Sequence, residues 1–106
     1  MRPIHLARLE ELTPVVVLTR AATRPALDTV TVIPISREPL GVTSEVWLGV
    51  ENGLTGPMAA RLDEVMTLPI GLLDERLGYL LPDQERELAR AVVLAFDLEL
   101  PVFSWR

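Results

Sequence analysis

Val15-Val16-Val17-Leu18-Thr19-Arg20 and, past a loop at 21–28, Thr29-Val30-Thr31-Val32-Ile33-Pro34-Ile35-Ser36 are the two stretches that decide the fold. Both are rich in β-branched residues, whose stiff side chains fit a pleated surface better than a helix. The first is almost continuously apolar, which predicts a central strand covered on both faces. Pro34 has no N–H to give to a ladder, so its strand needs a bulge or an edge at that point.

Shorter strands flank this pair. Residues 4–9 alternate in polarity and predict a first strand, with 10–14 as a turn. Residues 42–48 alternate again, and Asn52-Gly53-Leu54-Thr55-Gly56-Pro57 is a loop signal. Residues 58–68 are expected to form one longer strand carrying Arg61 and Asp63 on the same face. A sixth strand is expected at 76–80. Pro82, followed by Asp83 and Glu85, suits the start of a helix. Leu88, Val92, Ala95 and Phe96 then recur at helical spacing, and Pro101 lies beyond the helix end. Strands at this spacing followed by one helix imply a mainly β fold: a small, partly open barrel capped by a C-terminal amphipathic helix, with residues 1–106 as a single domain. Its uncovered sheet edges favour dimerisation.

The 106 residues carry a net charge of −5, which excludes a protein that coats nucleic acid by general basicity. Five Arg face six acids in residues 1–53 (−1), and five Arg face nine acids in 54–106 (−4). A nucleic-acid site therefore has to be a local cluster of guanidinium groups, built from Arg8, Arg20, Arg24, Arg37 and Arg61. There is no cysteine and one histidine, His5. Disulfides, thiolate metal sites and cysteine nucleophiles are thereby excluded, and neither a metal nor a cofactor is expected. His5, inside a strand, reads as packing or surface. The apolar runs are too short to span a bilayer, and the first residues lack a secretory block, so no membrane association and a cytoplasmic location are expected.

Six stretches, taken in order, resemble the MazF/PemK/Kid toxin family: 13–20, 30–36, Thr43-Ser44-Glu45-Val46, Asn52-Gly53-Leu54, 62–69 and Leu77-Gly78-Tyr79-Leu80-Leu81-Pro82. The likeness is closest to short mycobacterial-type members that lack a long first loop, and it runs from Arg2 to about Leu98. The resemblance implies an SH3-like barrel, a homodimer and metal-independent, sequence-specific cleavage of single-stranded RNA. It also implies a cognate MazE-like antitoxin laid over the RNA groove. Ser36 matches the family's catalytic Thr or Ser. Arg61 and Asp63 match an Arg and an Asp implicated in cleavage. Glu45 matches an acidic residue that reads as structural. The family's catalytic Arg, which precedes a proline, is replaced here by Thr13.

These residue types suit attack of a ribose 2′-hydroxyl on the adjacent phosphate, which needs neither an enzyme nucleophile nor a metal. What remains is orientation, proton removal and charge stabilisation. Asp63 is the expected base, Arg61 a bidentate phosphate clamp and Ser36 a donor to a nonbridging oxygen. Arg20 and Arg37 are candidates to replace the missing Arg, Arg24 joins them in RNA binding, and Trp47 offers a ring for base stacking, with a place in the dimer interface or the core as the alternative. Two alternatives remain open: a catalytically degenerate module that binds RNA or antitoxin, and a gyrase poison similar to CcdB that acts through Trp105.

Overall fold

A computed structural model describes residues 1–20 and 24–98. The strands are β1 (Pro3–Arg8), β2 (Leu12–Val17), β3 (Thr29–Ser36), β4 (Glu45–Leu48), β5 (Met58–Arg61), β6 (Met66–Pro69) and β7 (Leu73–Tyr79), followed by one α-helix, α1 (Pro82–Ala95). They form one curled antiparallel sheet in the order β4-β5-β3-β2-β1-β7, with β6 also paired to β3. Among the described residues no helix is long and apolar enough to cross a membrane.

The valine run is buried on both sides, as its composition requires. Val16 packs with Ile4, Ile33, Ile35, Leu62, Leu80 and the helix residues Leu88 and Ala91. Val15 and Val17 point the other way, into a second cluster with Ala7, Val30, Val32 and Leu68. β2 thus serves two cores, one under α1 and one under β6. The strand itself is shifted from its expected bounds. Leu12–Pro14 belong to it because β1 and β2 form a tight hairpin, with Arg8 opposite Leu12.

β3 is the spine of the curl. Residues 29–32 pair with β6, whereas Ile35 and Ser36 pair with β5. Pro34 falls where one partner strand gives way to the other, so its missing donor costs neither ladder a bond. The single strand expected over 58–68 is in fact two. After Arg61 the chain makes a 3-10 turn (Leu62–Glu64), placing Leu62 in the core, before it rejoins β3 as β6. Arg61 and Asp63 consequently do not share a strand face. β4 is also shorter than expected, because residues 40–42 form a loop gathered around the Glu45 carboxylate.

The helix starts at Pro82. Its N-cap residue, Leu81, has no capping hydroxyl, but Gln84 Oε1 accepts the Leu81 N–H at 2.8 Å. It ends at Ala95, and Asp97 takes a left-handed conformation (φ 51°) just beyond. Phe96, expected on the buried stripe, is exposed. Trp105 lies outside the described residues.

Candidate functional site

At one end of the sheet, where β2 begins and β3 finishes, lies a groove of about 710 Å³. Its polar lining comes from Glu11, Thr13, Ser36, Arg37, Glu38 and Thr55, over an apolar floor that includes Leu6, Leu54, Met58 and Leu77. Ser36 Oγ accepts the Glu38 N–H at 3.0 Å, which leaves the serine proton free to donate. Thr13 donates its hydroxyl to the Glu11 carbonyl at 3.1 Å. Arg37 reaches Thr55 Oγ1 at 3.4 Å, a long contact that holds it loosely.

The wall of the groove is built by two glycines far apart in sequence. Gly53 has φ 85°, and a Cβ there would lie 1.9 Å from the Leu77 carbonyl oxygen. A Cβ on Gly78 would lie 2.2 Å from the Asn52 carbonyl oxygen. The two backbones therefore touch, which brings Leu54 and Thr55 to the rim. Asn52 locks this contact. It is fully buried, accepts the Gly49 N–H at 3.0 Å and donates to the Tyr79 carbonyl at 2.9 Å. It also exchanges hydrogen bonds with the Gln84 amide, at 2.6 and 3.1 Å.

Of the residues singled out from the sequence, Thr13, Ser36 and Arg37 meet in the groove; Arg61 and Asp63 do not line it. Arg61 pairs with Glu64 at 2.8 Å, and Asp63 accepts the Ser44 hydroxyl at 2.6 Å. Both brace the turn after β5. Glu45 accepts three backbone N–H groups, from Leu40, Gly41 and Val42, at 2.7–3.1 Å. That shapes the loop following Arg37. Trp47 is 58% exposed on the edge strand β4. It lies opposite Ala59, which itself lies opposite Ser36. With strands about 4.8 Å apart, the Trp47 backbone is about 10 Å from that of Ser36 on the same face. His5 gives its ring to the Asp74 carbonyl at 2.8 Å and does not line the groove.

The expected single arginine cluster is divided. Arg8 turns to Asp74 and the Gly71 carbonyl. Arg20 and Arg24 lie at the opposite end of β2, beside Arg2. Strand direction is the reason: residues five or six apart on one strand are about 17–20 Å apart. Sequence reasoning missed Glu11, Glu38 and Thr55, which carry no motif and meet only through the curl of the sheet.

No family model matches the chain. Endoribonuclease MazF3 of Mycobacterium tuberculosis is 44% identical over 99 residues, spanning 93% of this chain and 96% of the relative. The chain belongs to the MazF family of toxin endoribonucleases. Among solved structures, the Mycobacterium tuberculosis toxin MazF-mt6 superposes with a TM-score of 0.90 at 43% identity, covering 93% of this chain and all of that one. A MazE–MazF complex from Deinococcus radiodurans matches with a TM-score of 0.77 over 92% of this chain and 93% of the other, but at 18% identity, so it speaks for the fold alone. Against the MazF pattern, the groove has Thr13 where the family resemblance calls for an arginine, and Arg37 is the arginine among its lining residues. The internal match to MazF leaves the gyrase reading without a residue to stand on among those described.

Proposed function

We propose that this chain is a cytoplasmic toxin that cuts single-stranded RNA at a preferred sequence, without a metal, in the groove between the start of β2 and the end of β3. The observation that carries this reading is the convergence of Ser36, Arg37, Thr13 and two carboxylates, Glu11 and Glu38, on one groove of the endoribonuclease fold. In this reading the 2′-hydroxyl attacks the adjacent phosphorus and the 5′-oxygen leaves. The 5′-oxygen takes up a proton from solvent as it leaves, so the products are a 2′,3′-cyclic phosphate and a 5′-hydroxyl end. Arg37 holds the phosphate oxygens through its planar fork, substituting for the arginine absent at position 13. The free proton of Ser36 reaches a nonbridging oxygen, and Thr13 borders the same oxygen pocket. Glu38, tied by its backbone to Ser36, is the carboxylate best placed to accept the 2′-hydroxyl proton. Arg61 and Asp63 act as positioning residues, holding the turn that follows the β5 residues opposite Ser36.

Trp47 extends the site along the sheet face as a ring on which a neighbouring base stacks. The exposed β4 edge, with Trp47 and Val50, favours a homodimer that covers it. A MazE-like antitoxin segment lying in the groove would silence the enzyme by occupying the phosphate site.

The test is incubation of the purified protein with a labelled single-stranded RNA library in EDTA. Short-sequence-specific 5′-hydroxyl ends are expected; intact RNA at high enzyme concentration sinks the reading. A degenerate, binding-only protein is distinguished by Thr13→Arg. If Arg37 already fills the role, the substitution changes the cleavage rate by less than about tenfold, whereas a crippled enzyme would regain about 10²–10³.

A further inference from the structure

The other end of the same strands carries a second recess, of about 270 Å³, lined by Arg2, Leu18, Thr19, Arg20, Arg24 and Glu85 among others. Three guanidinium groups face one carboxylate there, a local excess of positive charge on a molecule whose net charge is −5. Glu85 is engaged by Arg2, whose Nη1 lies 2.9 Å from Oε1. The Nε–H groups of Arg2 and Arg24 are both shut off from solvent, and neither has a hydrogen-bond partner among the described residues. Both side chains are only half-buried, so it is their remaining guanidinium surface, and not these shut-off Nε atoms, that a ligand in the recess can meet. Arg20 is exposed at its mouth.

We propose that this recess binds a backbone phosphate of the RNA strand, several nucleotides away from the one that is cut. A phosphate has the negative charge and the several acceptor oxygens needed to answer the guanidinium groups of Arg2, Arg20 and Arg24 together, which Glu85 alone does not neutralise. The recess lies about 17–20 Å from Thr13 along β2, a span that an extended single strand, free of the duplex rise, crosses in a few nucleotides. The site would then hold the strand in register without reading a base, because phosphate contacts position rather than specify. This inference rests on the RNA-cleaving reading of the groove and adds a second point of attachment to it.

The experiment measures binding of uncleavable 2′-O-methyl oligouridine, about 2 or about 15 nucleotides long, by fluorescence anisotropy across a salt series, the short probe being unable to bridge groove and recess. The wild type is expected to bind the long probe at least tenfold more tightly, as about one further phosphate contact would give. Its slope of log affinity against log salt is expected to be steeper by about 0.7 per added phosphate contact. Arg20→Ala/Arg24→Ala, and Arg20→Glu alone as a variant at an exposed side chain, should lose the gain on lengthening. If either variant melts like the wild type and keeps the full gain, the second site is wrong, while the cleavage assay with EDTA judges the groove independently. If the wild type itself gains nothing with length, the recess does not hold RNA. Retention of the RNA gain by the variants together with lost binding of a poly-glutamate peptide would assign the recess to an acidic protein partner and overturn the proposal.

Discussion

Replacing Asn52 by alanine should unfold the protein at a much lower temperature, although the residue carries no charge and touches no substrate. Its amide is fully buried and serves Gly49, Tyr79 and Gln84 at once. Gln84 can turn to water when its partner goes. The Gly49 N–H, on a buried residue, has no such escape, and the Tyr79 carbonyl loses its partner in a part-buried position beside the Gly53–Gly78 contact. Leaving a buried donor or acceptor unmade costs about 1–3 kcal/mol each, so the pair costs about 2–6 and centrally about 4 kcal/mol. A domain of this size loses about 4–8 °C in Tm per kcal/mol, which places the drop at about 15–30 °C. Asn52→Asp separates polarity from volume. It keeps the shape but presents an oxygen to the Tyr79 carbonyl and so should destabilise by a similar amount. Circular dichroism melts of the three proteins decide the matter. An alanine variant melting within about 3 °C of the wild type would show that the amide network does not hold the groove wall.

Three further expectations follow from the same structure. Arg37→Ala should lower kcat for RNA cleavage by about 10²–10³ with little loss of thermal stability, because its one described contact is long and exposed; unchanged turnover would remove Arg37 from the phosphate site. Gly78→Ala forces a Cβ to 2.2 Å from the Asn52 carbonyl and should cost at least about 1–3 kcal/mol, read as a lower urea midpoint and lost nuclease activity. Asp97→Gly should stabilise by about 0.5–1 kcal/mol in the same titration, since it relieves a left-handed backbone and removes a negative charge from the negative end of α1.

The strands and the helix are largely legible in the residues because their signals are local. The valine run, the Pro82 start and the Leu88 stripe each follow from side-chain shape and period. The breaks were not legible. Residues 58–68 read as one strand because nothing in them marks the turn at Leu62; that turn exists because β3 offers one partner surface to β5 and another to β6. The same curl separates Arg61 and Asp63 from the groove to which the family likeness assigned them. Ser36 and Thr13 were found through family likeness, and Arg37 through its place next to Ser36 at the end of the same strand. Glu11, Glu38 and Thr55 could be found only once the ends of β2 and β3 were side by side.

Composition alone settled that any chemistry here must work without thiols, with a single imidazole and with arginine as the sole cationic side chain, because those are matters of inventory. Periodicity settled a small β architecture closed by a helix, since burial on one face or two is written into neighbouring residues. Arg37 lies beside Ser36 by chain adjacency, but that Thr13 joins them, and which arginines gather at the far end, was decided by tertiary structure alone. Strand direction carries residues of one short segment to opposite ends of the sheet, and the close approach of Gly53 and Gly78 joins two motifs that are 25 positions apart.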